Sequence, residues 1–239
     1  MVKVLLAVTA YNEVFYQDGT KTGLFVSEAL EPFLEFAASN YEVQFASETG
    51  RFGYDEHSTS EDFLSGNIRA AFEDKNSFFN QSIAKIKKAS DLINEDFDIF
   101  FAAGGHGAIF DFPKAKSLHA IAAKTWEKGG IVSAVCHGPA IFENLNLSSG
   151  EPLIKGKKIT GFTDVGEKDL GLDGIIEKDH LLTVAGVAKK EGAEYVSPKG
   201  PWDDFVVVDG NGRLITGVNP QSAEQTGKKT IDAYQSLKK

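Results

Sequence analysis

Residues 131–144 read Ile-Val-Ser-Ala-Val-Cys-His-Gly-Pro-Ala-Ile-Phe-Glu-Asn and contain the only cysteine of the chain, Cys136. The β-branched apolar run Ile131, Val132 and Val135 predicts a buried strand, and Gly138-Pro139 opens what reads as a helix. Cys136 then sits on a strand-to-helix turn, the place where an α/β fold exposes a nucleophile. The spacing Ala134-x-Cys136-x-Gly138 is close to the Gly-x-Ser-x-Gly elbow, in which small flanking residues let a strained turn carry the reactive side chain. Sulfur replaces oxygen, and Ala134 replaces the first glycine. A helix starting just beyond Cys136 is expected to lower the thiol pKa.

Outward from this elbow, strand and helix signals alternate without an evident linker. Residues 2–8 form a first apolar strand, and a helix capped by Thr22-Gly23 is expected to run to about Ser39 on Phe25, Ala29, Phe33, Phe36 and Ala37. Glu28 falls at the edge of its apolar arc and reads plainly as an exposed helix glutamate. Pro32 cannot bond the carbonyl of Glu28, and the bend this implies points instead to a site. Residues 41–46 alternate as a second strand. The irregular stretch 47–96 suits a capping insertion with helical signals at 60–64 and 76–89. Within it Asp55 and His57 lack a nearby third ligand and read as a polar loop.

Residues 98–103 are an apolar strand ending in Gly104-Gly105-His106-Gly107, where backbone amides can approach a ligand closely. A helix over 114–128 follows, with His119 as a surface or core histidine. After the elbow come a short strand at 157–160, a helical segment opened by Val165-Gly166-Glu167, strands at 181–185 and 205–208, a Gly210-Asn211-Gly212 hairpin, and a strand at 213–216. Asn219-Pro220 caps the last helix. Glu167 reads either as an orienting carboxylate or as a first-turn glutamate favoured by the helix dipole. This order predicts one α/β domain over 1–239, an open and mainly parallel sheet flanked by helices.

The 239 residues carry a net charge of -9, with no basic cluster, which disfavours nucleic acid and anionic membrane as partners. One cysteine allows no intrachain disulfide, so a reducing compartment is expected: the cytoplasm, with the nucleus also compatible. No apolar run reaches spanning length. The glycine turn lacks Gly-x-Gly-x-x-Gly and no Walker pattern exists, so nucleotide binding is disfavoured. A class I-type glutamine amidotransferase needs a late His-x-Glu pair, and His180 is followed by Leu181-Leu182.

Four motifs together, Ala-Val-Cys136-His137-Gly-Pro, Gly-His106-Gly, Ser-Glu28-Ala-Leu and Gly-Phe-Thr-Asp-Val-Gly-Glu167, resemble the ThiJ/PfpI superfamily. More narrowly they are similar to its fungal heat-shock-protein branch, which includes glutathione-independent glyoxalases (glyoxalase III). The resemblance implies a flavodoxin-like fold, conversion of methylglyoxal and other 2-oxoaldehydes with water to lactate, no metal and no organic cofactor, and a homodimer. It implies Cys136 as nucleophile, His137 as acid/base with Glu167 as its partner, Glu28 beside the sulfur, and the amides of Gly105 and His106 as oxyanion donors. Glu31, Ala108 and Tyr54 depart from the branch pattern, in which histidine, threonine and tryptophan are common. The family also suggests a holdase for misfolded client proteins, for which the eighteen phenylalanines would supply an apolar surface. A redox-sensing Cys136, or a deglycase, protease or other cysteine hydrolase using the same thiol, is a further reading.

Overall fold

The computed structural model describes residues 1–238. Seven strands build the main sheet: β1 (Lys3–Ala7), β2 (Glu42–Ser47), β3 (Lys87–Lys88), β4 (Ile99–Ala102), β5 (Ile131–Val135), β8 (Val206–Asp209) and β9 (Leu214–Gly217). Two further strands, β6 (Lys158–Ile159) and β7 (Glu194–Tyr195), pair with each other in parallel. The main order is β3-β2-β1-β4-β5-β9-β8, parallel throughout except for the antiparallel β8–β9 edge. The expected flavodoxin-like architecture is therefore the observed one.

The fully buried runs of β1, β4 and β5 explain this layering. Successive side chains of a strand point to opposite faces, so Val4, Leu6, Ile99, Phe101 and Val135 pack on one face. Leu5, Phe100, Ala102, Val132 and Ala134 pack on the other. The first face is covered by the helices Val26–Ala38 and Ala223–Leu237, the second by Lys116–Glu127 and Val184–Lys190. Because β2 and β4 flank β1, the direction of strand succession reverses between β1 and β4. In open α/β sheets ligands bind beyond the carboxyl ends of strands at such a point.

Several local expectations are corrected. The first helix begins at Val26 with no side-chain cap, because the Thr22 hydroxyl bonds Asp55 instead and Gly23 is pressed against the Gly53 carbonyl. Residues 60–64 are a turn, and the helices of this stretch are Gly66–Glu73 and Phe78–Ile83. The apolar run 181–185 is not a strand. Thr183 accepts the Gly186 amide and caps the helix Val184–Lys190, a case in which a short apolar run fits either period. After Cys136 the chain forms only the five-residue 3-10 turn Gly138–Phe142. Gly138 lies against the Ala102 carbonyl, where any side chain would collide. Among the described residues no helix is long and apolar enough to cross a membrane.

Candidate active site

Cys136 follows directly on β5 with φ of +58°, the left-handed conformation expected of a strained elbow. Its amide donates to the Gly217 carbonyl at 3.0 Å, and its carbonyl accepts the Phe162 amide at 2.9 Å. The turn is thus fixed from both sides, and the thiol points into a cavity of about 140 Å³. His137, next in the chain, places Nδ1 3.3 Å from the sulfur. Its Nε2 lies 2.7 Å from Glu167 Oε1.

Glu167 stands in the first turn of the helix Asp164–Asp169, capped by Thr163. It is buried, and its second oxygen lies 3.0 Å from His106 Nε2. Burial alone would raise its pKa, but the two histidines and their N–H bonds outweigh that and hold the carboxyl well below its ordinary range. An ionised carboxylate only accepts, so both Nε2 atoms carry hydrogen. Burial first, and His106 second, push His137 down to about 4. His137 is therefore a neutral ring with its Nδ1 lone pair toward the sulfur.

Glu28 is fully buried in the helix Val26–Ala38, contrary to its plain reading as an exposed residue. Its carboxyl faces the Cys136 thiol and the Gly104 backbone. Neither contact has the alignment of a full hydrogen bond, and both oxygens are buried without a partner. Burial, and then the Asp55 charge, raise its pKa well above the ordinary value. The thiol is pushed up as well, by burial and then by Glu28 and Glu167. This corrects the expectation of a thiolate activated by a helix terminus. The turn after Cys136 is short, Pro139 has no amide hydrogen, and the nearest charges are negative. At rest Cys136 and Glu28 form a protonated pair.

The glycine turn completes the wall. Gly105 has φ of +99°, and a side chain there would strike the Gly23 carbonyl and the Phe25 amide. Among the described residues no protein acceptor takes the amide of Gly105 or His106, and both residues line the cavity with Cys136. All six predicted site residues, Cys136, His137, Glu167, Glu28, Gly105 and His106, therefore meet in one place. His106, His137 and Glu167 are the only grouping of metal-ligating type among the described residues, within 4.8 Å. Each Glu167 oxygen is already taken by a ring N–H, so the donor set reads as an acid–base array.

Asp55 and His57 also reach this region. Asp55 accepts from Tyr16 and Thr22, while His57 lines the cavity and binds Asp18 and Thr20. Sequence reasoning missed Tyr16, Phe25, Phe63, Phe162 and Trp202 in the wall. The one available signal for Tyr16 was its place after β1, at the point where strand succession reverses.

The sequence profile of the DJ-1/PfpI family matches residues 22–233. The chain belongs to the DJ-1/PfpI family. It is 59% identical to Glyoxalase 3 of Candida albicans over 98% of this chain and 99% of that one. It is 55% identical to the glutathione-independent glyoxalase HSP31 of Saccharomyces cerevisiae, over 98% of each. The crystal structure of glyoxalase III from Candida albicans superposes with a TM-score of 0.95 at 60% identity, covering 97% of each chain.

Proposed function

We propose that this DJ-1/PfpI protein is a glutathione-independent glyoxalase that converts 2-oxoaldehydes, methylglyoxal above all, and water to 2-hydroxy acids such as lactate. The observation that carries the reading is the sulfur of Cys136 set between a buried carboxyl, Glu28, and the free Nδ1 of neutral His137. A dicarbonyl rearrangement needs a nucleophile for the aldehyde and a base beside the carbon that loses hydrogen. Both are supplied by the chain.

Neutral His137, its Nδ1 3.3 Å from the sulfur, takes the thiol proton as Sγ bonds to the aldehyde carbon. The amides of Gly105 and His106 receive the developing oxyanion, to which His137 then gives the proton, completing the hemithioacetal and returning the ring to its neutral form. His137 Nδ1 removes the proton from the sulfur-bearing carbon while the protonated Glu28 gives its own to the ketone oxygen; His137 then returns its proton to the former ketone carbon as Glu28 takes the hydroxyl proton of the sulfur-bearing carbon, leaving a 2-hydroxy thioester on Cys136. Water cleaves the thioester, and lactate and the thiol are released. Glu167 acts through His137, fixing its tautomer. Of the 47–96 stretch, the part before the helix Gly66–Glu73 serves as a cap, bringing His57 and Phe63 to the cavity, while Lys87–Lys88 belongs to the main sheet as β3.

The client-binding alternative lacks support from the surface. Among the phenylalanines at 52–79, Phe79 is buried, Phe52, Phe63 and Phe72 are half-buried, and only Phe78 is exposed. A deglycase or hydrolase would use the same thiol. Turnover of methylglyoxal by wild type and Cys136→Ser in glutathione-free buffer tests the proposal: loss in the serine variant is expected, and full activity there would refute it.

A further inference from the structure

Glu167 serves two histidines, and only His137 reaches the sulfur. The second, His106, continues away from the thiol: its Nδ1 lies 3.3 Å from the Tyr16 hydroxyl. Tyr16 in turn donates to Asp55 Oδ2 at 2.6 Å. Asp55 is buried and also accepts from the Thr22 hydroxyl at 2.8 Å and the Ser58 amide at 3.2 Å. Three donors converge on it, so it acts as an acceptor, and the single phenolic hydrogen is spent there. Toward His106 the Tyr16 oxygen can therefore only accept. Nδ1 of His106 must carry a hydrogen to make that contact, and Nε2 carries one for Glu167.

We propose that Tyr16, clamped by Asp55 and Thr22, is a positioning residue that fixes His106 as a doubly protonated ring, so that His106 and Glu167 form a buried ion pair bracing His137. The effect on turnover rests on the glyoxalase reading; the protonation state does not. The groups facing His106 are Glu167, neutral His137 at a ring separation of 3.9 Å, Tyr16 with Asp55 behind it, the rings of Phe15 and Phe162, and, across the cavity, the Cys136 thiol and His57. One positive ring thus lies between two carboxylates. A positive neighbour discourages protonation of His137, which agrees with the depression of that group, for which His106 is the cause after burial. The same charge lies in the wall where an enediolate oxygen would develop.

The test is ring-¹⁵N NMR of histidine-labelled protein, with the His106 signals among the five histidines assigned by their loss in His106→Asn. In wild type at pH 8, His106 is expected to hold hydrogen on both nitrogens, as its contacts with Glu167 and Tyr16 require. Tyr16→Phe is expected to leave one nitrogen unprotonated at pH 8 and to lower kcat about 10- to 100-fold, the range for losing a hydrogen bond to a charged group, with KM little changed. A neutral wild-type His106 at pH 8 overturns the inference, whether or not the variant folds. An unaltered His106 spectrum, or unaltered kcat, in folded Tyr16→Phe also overturns it, and the glyoxalase reading then stands. If the wild type makes no lactate, that reading fails and the spectra alone decide the inference.

Discussion

Replacing Glu28 by glutamine keeps the shape of a fully buried side chain and removes its ability to ionise. Burial above all raises the Glu28 pKa above its ordinary 4.5; the Cys136 contact opposes it, the Asp55 charge adds to it, and the Gly104 contact opposes it least. A raised carboxyl favours the fold fully below 4.5, and that contribution is lost as pH rises toward the folded-state value. The loss is about 1.4 kcal/mol per pH unit in this interval. Glutamine has no such dependence. Glu28→Gln should therefore match wild type near pH 4 and exceed its stability by about 1–2 kcal/mol near pH 6, the amide's own unmet hydrogen bonds offsetting part of the gain. Turnover should fall by about 10²- to 10⁴-fold, the usual contribution of a positioned acid or base. Removal of the Glu28 charge should also shift alkylation of Cys136 to lower pH, because Glu28 is the second cause of its raised pKa. Urea unfolding across pH 4–7, with glutathione-free kinetics, checks both sides. A stability difference that does not change with pH, or an unchanged kcat, would rule out a raised Glu28 carboxyl that acts in turnover.

Gly105→Ala should cost about 2–4 kcal/mol, combining a left-handed backbone with a collision against Gly23 and Phe25. Gly19→Ala, with similar φ but open space around it, should lose only about 1 kcal/mol in the same thermal melts. Glu31, which bonds the Glu224 amide at 3.2 Å, is raised to about 7 by burial and then by the Glu224 charge. Its contribution is present below pH 4.5 and lost as pH rises through about 7. Glu31→Gln should therefore gain about 1–2 kcal/mol over wild type at pH 8 and nothing at pH 4, read by chemical denaturation.

The elbow and the central sheet were legible because their signals are local. The apolar runs of β1, β4 and β5 fit only a sheet covered on both faces, and a lone cysteine between such a run and Gly-Pro marks a turn. Glu28 was not legible by periodicity, since its burial comes from the cavity wall rather than from the helix's apolar arc. The family motifs, not the pattern, singled it out. Thiol activation was misread because sequence does not show that the segment after Cys136 is a five-residue turn or that the Glu28 carboxyl is buried beside the sulfur. Thr183 shows the same limit at the level of an element: a helix cap was hidden inside an apolar run. The His106 turn was visible, but its ring direction is set by Glu167 and Tyr16, sixty-one and ninety residues away in sequence.

Conversion of a 2-oxoaldehyde to a 2-hydroxy acid on Cys136, without glutathione, has a defined stoichiometry. Its most direct measurement is the ratio of lactate formed to methylglyoxal consumed by the purified protein in thiol-free buffer. One lactate per methylglyoxal is expected over many turnovers, and none with Cys136→Ser. Consumption without lactate, or equal lactate from Cys136→Ser, would contradict it.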